Sequence, residues 1–277
     1  MNSEDSQLFD LEIKALLEAI LLHYQQDFRL YSPASLRRRL RQALAQSGFE
    51  RLSQLQDHVL RDGEHFTRLL QFLTVQVSEM FRDPAYFRSL RENVLPELST
   101  WPSIKIWVAG CSRGEEVWSM AVLLKEEGLL ERSIIYATDI NPEALRQAEA
   151  GVFPLDRVQR FSSNYLAAGG RGSLSDHYHA AYDGIVFDRQ LKRQIVFADH
   201  SLATDAVFSE VHLVSCRNVL IYFDQTLQDR AVGLFRESLV RRGFVGLGSR
   251  ESLQFGRHAG DFELCFAEPD VRIYRRV

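Results

Sequence analysis

Residues Ile104–Leu124 read IKIWVAGCSRGEEVWSMAVLL, and the reading of this stretch decides the fold. Ile104, Ile106, Val108 and Ala109 form a short apolar run, Gly110 to Gly114 is a turn closed at both ends by glycine, and a helix is expected from Glu115 onward. Strand, tight turn and helix start make a corner with a physical use. Glycine lets a ligand approach the backbone closely, and the unpaired amides of the first helical turn point into the crevice. A ligand site at the carboxyl end of a strand follows.

The residues beside the glycines narrow the ligand. A dinucleotide fingerprint, G-x-G-x-x-G, sets three glycines under a pyrophosphate. Here the spacing is G-x-x-x-G, followed at once by Glu115 and Glu116. Acid at that point repels a pyrophosphate and suits a ligand that carries a positive amino group and no phosphate, as S-adenosylmethionine does. The same residues also suit an ordinary strand-to-helix turn with two solvated glutamates stabilised by the helix dipole.

Downstream, Ser133–Ala137 reads as a second apolar strand that ends in Thr138-Asp139. An acid at the end of the strand after a nucleotide-binding corner is placed to accept hydrogen bonds from ribose hydroxyls, which makes Asp139 the expected ribose ligand. Capping of the helix that begins at Asn141-Pro142 is its other use, and Asn141 serves that equally well. Asp176 to Phe197 alternates like a short hairpin or small antiparallel insertion. Val211–Ser215 is a further buried strand that delivers Arg217 and Asn218 to a carboxyl end. A helix over Thr226–Val240, a chain turn at Gly243 and late strands at 244–247, 262–266 and 271–274 complete the pattern. Strands alternating with helices predict an α/β fold, a mostly parallel, doubly wound Rossmann-like sheet closed by an antiparallel edge.

Upstream, Leu8 to about Leu73 is helical throughout, with leucines at three- and four-residue steps. Ser32 is the expected cap and Pro33 the first residue of a helix that Gly48 stops. That helix carries Arg37, Arg38, Arg39 and Arg41, either a solvated face or a docking surface for an acidic partner. In Leu69–Phe87, polar Gln76, Ser78 and Arg82 stand among apolar neighbours, as in a segment that faces a ligand. The expected organisation is a helical domain over 1–83, a connecting helix over 84–103, and an α/β domain over 104–277 with an insertion at about 176–197.

Composition bounds the function. The 277 residues are 45% hydrophobic and 25% charged, as in a soluble globular protein, with no apolar run near the roughly 20 residues that a membrane span needs. The acidic start MNSEDSQLFD does not resemble a signal peptide, so a cytoplasmic location is expected. Three widely spaced cysteines fit neither a disulfide framework nor a zinc site, and a net charge of −4 argues against general nucleic-acid affinity.

Four segments in order, Val77–Pro84 (VSEMFRDP), Trp107–Glu116 (WVAGCSRGEE), Ala137–Asn141 (ATDIN) and Ser215–Asp224 (SCRNVLIYFD), together resemble the CheR family of chemoreceptor glutamate methyltransferases. The similarity extends over almost the whole chain, including Gly248–Glu251. It implies an all-helical N-terminal domain, an S-adenosylmethionine methyltransferase sheet, a small β-subdomain, and methyl transfer to glutamates on the cytoplasmic helices of a methyl-accepting receptor, leaving S-adenosylhomocysteine. Carried over by position, the resemblance implies that Ser78 and Arg82 face the methionine end, that Gln76 binds the cofactor and that Ala109, Gly110 and Glu115 form the corner. It gives Asp139 the ribose and Ser201 and Leu202 the adenine side, sets Arg217 and Asn218 under the cofactor, and brings Tyr222 near the methyl. Arg82 and Tyr222 are then the catalytic positioning pair, and Arg37, Arg38 and Arg41 dock the receptor. A monomer without metal, nucleic-acid partner or membrane insertion is expected. The family usually has asparagine at Gln76 and Ser201, threonine at Ser78 and a proline-aromatic pair at Val117-Trp118. A catalytically weak, cofactor-binding regulator therefore stays open, as does a methyltransferase acting on a small molecule or nucleic acid.

Overall fold

The computed structural model describes residues 3–181, 184–266 and 268–277. Four helices come first: α1 (Ser3–Tyr24), α2 (Pro33–Ser47), α3 (Leu52–Arg61) and α4 (Gly63–Leu73). Pro33 takes the first turn of α2 and Gly48, at φ 75°, ends it, as the pattern predicts. Ser32 stands at the cap position, but its side chain makes no capping bond. Its amide instead donates to the Tyr222 carbonyl at 2.8 Å.

The expected connecting helix is a broken one, α5 (Pro84–Ser89), a π-turn over Leu90–Val94 and α6 (Leu95–Leu98). It is no exposed linker. Tyr86, Phe87, Leu90, Val94, Leu95 and Leu98 are all buried in the main core. The strands and helices that follow are β1 (Ile104–Ala109), α7 (Glu115–Glu126), β2 (Ser133–Asp139), α8 (Pro142–Ala150), β3 (Val152–Pro154), α9 (Val158–Ala167), β4 (Tyr178–Ala181) and β5 (Gly184–Phe187). The chain closes with α10 (Arg189–Lys192), β6 (Ile195–Asp199), β7 (Val211–Cys216), α11 (Gln225–Ser238), β8 (Leu239–Leu247), β9 (Phe262–Leu264) and β10 (Arg272–Arg276).

The large sheet has seven strands in the order β6-β2-β1-β7-β8-β10-β9. The first five run parallel, and β10 and β9 add antiparallel pairings at one edge. This is the doubly wound sheet that the sequence predicts. Strand alternation divides β1 between two cores. Ile104, Ile106 and Val108 face the core built with α5 to α7, whereas Trp107 and Ala109 face the one that includes the helical domain. β2 lies on one side of β1 and β7 on the other, so the strand order reverses beside β1, where open α/β sheets bind ligands.

Three segments differ from expectation. The stretch read as an insertion over about 176–197 contributes β4 and β5 to a three-stranded sheet whose other strand, β3, lies upstream of α9. Its end, Ile195 to Phe197, belongs to β6 of the large sheet, paired in parallel with β2; Tyr182 and Asp183 of that stretch lie outside the described residues. Gly243 does not turn the chain, because it sits within β8, and the left-handed residue there is Arg242 at φ 64°. A register slip between β7 and β8 takes up the irregularity instead. Among the described residues, no helix is long and apolar enough to cross a membrane.

Candidate functional site

A cleft of about 870 Å³, counted to its open mouth, lies outside the carboxyl ends of β1, β2, β6 and β7 and is roofed by α2 and the segment after α4. Gln76, Ser78, Arg82, Gly110, Asp139, Leu202, Arg217, Asn218 and Tyr222 all line it. The fold thus gathers into one wall nine residues from five separate parts of the chain. Ala109, Glu115 and Ser201 are not on that wall.

The corner is built by glycine where the backbone demands it. Gly110 has φ 72°, and a Cβ there would stand 2.6 Å from Val219 Cγ2. Gly114 has φ 94°, and a Cβ would stand 2.9 Å from the Ala148 backbone. Gly110→Ala is therefore expected to cost about 1–3 kcal/mol of stability through φ strain and displacement of Val219, read as a lower midpoint of denaturant unfolding. Non-glycine residues in the left-handed region cluster around the same cleft: Phe81 (φ 49°), Asp83 (54°), Ser112 (52°) and Asn218 (60°). Such backbone persists only where neighbours hold it.

Those neighbours are identifiable. Asp139 Oδ2 accepts the Ser112 amide at 2.8 Å and Oδ1 accepts the Asn141 amide at 2.9 Å. Burial raises the Asp139 pKa above the ordinary value, against the pull of these amides. Asn141 caps α8, accepting from the Glu143 and Ala144 amides at 3.0 and 3.2 Å. Capping is thereby done without Asp139, which lines the cleft. Glu251 takes the amides of Asn218 at 2.8 Å, Gly248 at 2.7 Å and Ile221 at 3.3 Å, and burial raises its pKa too. That one carboxylate ties the start of the Asn218–Tyr222 segment to the turn after β8.

The two glutamates after the corner separate. Successive helical residues point about 100° apart, so only one can face the cleft, and it is Glu116. Glu116 accepts from Ser215 Oγ at 2.6 Å and from Arg217 Nη1 at 3.1 Å. Glu115, expected on the cleft, is fully buried instead, with Arg157 Nη1 at 2.7 Å; Arg157 also donates to the Ser78 carbonyl. Its effect on the cleft is indirect, through the backbone of Ser78. Ser201 is likewise spent on its own turn: its amide donates to Asp205 at 2.9 Å and its hydroxyl accepts the Ala203 amide at 3.2 Å. Ala109 ends β1, with its side chain in the core.

Arg217 is the electrostatic hub. Its side chain is 1% exposed, its Nη2 meets Asp83 Oδ2 at 2.7 Å and the Arg82 carbonyl at 2.8 Å, and its guanidinium lies 4.2 Å from the Tyr86 ring centroid. Burial alone would lower its pKa, but the carboxylates of Glu116, Asp83 and Glu251, with the Tyr86 hydroxyl, hold it above the ordinary value. Tyr86 hydroxyl bonds to Ser215 Oγ at 2.8 Å, closing a chain from Tyr86 through Ser215 and Glu116 to Arg217. Sequence reading named Glu115 and Glu116 together beside the corner but placed only Glu115 in the site, and it missed Asp83, Tyr86 and Ser215. The doublet Glu115-Glu116 was the available signal; which of the two faces inward depends on helix phase.

Gln76 reaches across the cleft. Its Oε1 accepts Ser112 Oγ at 2.7 Å, and its Nε2 donates to Thr74 Oγ1 at 3.0 Å. The extra methylene relative to asparagine gives it that span. Arg82 is less committed, with one long bond from Nη1 to the Val77 carbonyl at 3.4 Å. On the far side, Tyr222 is held by its own carbonyl to Ser32, by Asp224 donating to the Leu30 carbonyl at 2.8 Å, and by a bridge between Tyr31 and Phe223. The α2 arginines split as well. Arg37, Arg38 and Arg41 flank a shallow outer groove, where Arg37 pairs with Asp10, while Arg39 is buried.

The donor set fits a ligand with a diol, a cationic centre and a carboxylate. Asp139 offers acceptors, Glu116 offers negative charge beside the corner, and Arg82 offers a guanidinium.

A family model described as CheR methyltransferase, SAM binding domain, matches residues 76–270. A second, described as CheR methyltransferase, all-alpha domain, matches residues 11–74. The chain is 56% identical to the putative methyltransferase Cher3 of Pseudomonas putida, over 96% of this chain and 97% of that one. It is 31% identical to a chemotaxis protein methyltransferase of Vibrio anguillarum, over 79% and 80% of the two chains. A chemotaxis protein methyltransferase of Listeria monocytogenes is 27% identical, over 82% and 84%.

Proposed function

The chain belongs to the CheR methyltransferase family and is S-adenosylmethionine-dependent, and from that premise we propose that it methylates glutamate carboxylates on the helical cytoplasmic domain of a methyl-accepting chemoreceptor. The observation that carries the reading is a cleft walled by both domains, whose lining brings Arg82, Gly110, Glu116, Asp139 and Tyr222 together.

When bound, S-adenosylmethionine supplies an electrophilic methyl on a sulfonium. Asp139 would accept from its ribose, Glu116 and Arg82 would meet the ammonium and carboxylate of the methionine end, and Leu202 would lie on the adenine side. A glutamate acceptor is already ionised near neutral pH, so no residue needs to remove a proton. What the protein contributes is alignment and the exclusion of water. Tyr222 and Arg82 position, and Arg37, Arg38 and Arg41 attract an acidic receptor helix to the outer face of α2.

Calorimetric titration with S-adenosylmethionine and S-adenosylhomocysteine, followed by labelled-methyl transfer to receptor cytoplasmic fragments, tests this reading. Binding with base-labile incorporation is the expected result. Binding without transfer to any fragment would overturn it and favour the regulator reading, for which the Gln76–Ser112 bond across the cleft is the motivating observation.

A further inference from the structure

Residues 78–82 form a strap beside the cleft. Ser78 and Arg82, at its two ends, line the wall, and Met80 and Phe81 between them are buried. Phe81 sits at φ 49°, so the strap needs neighbours to hold its backbone, and two helices do so. Arg157 at the start of α9, Arg160 and Asn164 recur at three- and four-residue steps and share one helix face. Arg157 Nη2 donates to the Ser78 carbonyl, Arg160 Nε meets Glu79 Oε2 at 2.8 Å, and Asn164 Nδ2 donates to the Met80 carbonyl at 3.0 Å. From α7, Ser119 Oγ accepts the Phe81 amide at 2.8 Å and donates to the Glu115 carbonyl at 2.6 Å.

Both lines of bonds end at Glu115. Its side chain is 0% exposed, Oε1 meets Arg157 Nη1 at 2.7 Å, and Oε2 has no partner. A buried carboxylate loses much by releasing its cation, so one arm of Arg157 is pinned on Glu115 while the other holds Ser78. The Phe161 ring, 4.8 Å from the guanidinium, lies against the fork. The buried charge is thus an anchor on the helix that begins at the corner, and Arg157 carries the position of that corner to the strap. Arg157 is not itself on the cleft wall. It acts through Ser78.

We infer that Arg157 is a positioning residue that fixes the gap between the corner and the strap, and so the fit of the methionine end of the cofactor. The inference rests on the proposed placement of Ser78 and Arg82 at that end. A gap set before the ligand arrives spares the ligand the cost of ordering it. The effect therefore falls on cofactor affinity and leaves the acceptor KM alone.

Two variants of Arg157 and one control test it. Arg157→Met should lower the unfolding midpoint, because Glu115 is left without its cation, and should weaken S-adenosylhomocysteine binding about 10-fold, as loss of a charged hydrogen bond implies. Arg157→Lys keeps a cation for Glu115 but not the second arm of the fork. Its midpoint should stay near that of the wild type, while S-adenosylhomocysteine still binds about 10-fold more weakly and amide exchange over residues 78–82 of the ligand-free protein speeds up. Arg160→Met, which removes a side chain 71% exposed, should bind as the wild type does. Wild-type affinity and exchange in Arg157→Lys would overturn the inference, as would affinity falling only in step with the unfolding midpoint. Should wild-type protein bind no S-adenosylhomocysteine, the proposed placement of the cofactor fails, while amide exchange in Arg157→Lys still decides whether Arg157 holds the strap.

Discussion

Replacing Arg217 with methionine is expected to lower the stability of the fold by about 3–5 kcal/mol, the usual cost of removing one partner from a buried ion pair, and to disable the cleft. Methionine fills most of the volume, so the loss is electrostatic rather than a cavity effect. Glu116, whose side chain is 13% exposed, would be left with Ser215 alone, and Asp83 would lose its 2.7 Å partner. The Arg82 carbonyl would lose its donor, and with it the left-handed turn at Asp83 that starts α5. Arg217→Lys keeps the charge but cannot span Asp83 and Glu116 with one fork, and an intermediate loss is expected. Denaturant unfolding with and without S-adenosylhomocysteine reads both quantities. An unfolding midpoint for Arg217→Met equal to that of the wild type would show that the hub is not structural.

Asp139→Asn should weaken S-adenosylhomocysteine binding by about 100-fold, equivalent to about 2.7 kcal/mol, within the range for hydrogen bonds to a charged acceptor. The amide has one acceptor oxygen where the carboxylate has two, so the Ser112 and Asn141 amides and a ribose diol cannot all be satisfied. The same residue sets a pH dependence. Its folded-state pKa is raised above 3.8 by burial, so the native state binds the proton more tightly than the unfolded one. Its contribution to stability therefore falls as pH rises from about the unfolded value through the raised one. Ligand hydroxyls favour the charged form, so cofactor affinity should move the opposite way and decline as pH drops through that raised pKa. Calorimetry across mildly acidic pH should show this decline in the wild type and not in Asp139→Asn. Parallel curves for the two proteins would remove Asp139 from the site.

The parts of the molecule legible in the sequence are those where local chemistry and long-range position coincide. Gly110 and Gly114 announce a corner because no other residue tolerates that backbone at that proximity, and an apolar run before it can only be a buried strand. Asn141-Pro142 was a correct alternative for the cap. Illegible were features set by helix phase or by partners distant in the chain. Whether Glu115 or Glu116 faces the cleft depends on where α7 begins to the nearest residue, and the deciding partner, Arg157, is 42 residues away. Arg39 could not be told from Arg37, Arg38 and Arg41, since a charge on a helix is expected outside unless the fold gives it a reason to turn in. Ile195–Phe197 looked like the end of a hairpin because edge strands and hairpin strands share the same alternation.

The clasp between Leu30–Ser32 and Tyr222–Asp224 bears on how sites on a receptor would be chosen. Ser32 bonds to the Tyr222 carbonyl and α2 starts at the next residue, so Arg38, six residues on, lies about 9 Å along the helix axis from that anchor. The proposed docking face and the proposed methyl-transfer end of the cleft are thus fixed to one frame rather than joined by a tether. An enzyme so built would work as a gauge: once α2 seats on a receptor helix, only glutamates at one set spacing from the seat come within reach. The order of methylation along the receptor would then follow from the spacing of glutamates along that helix.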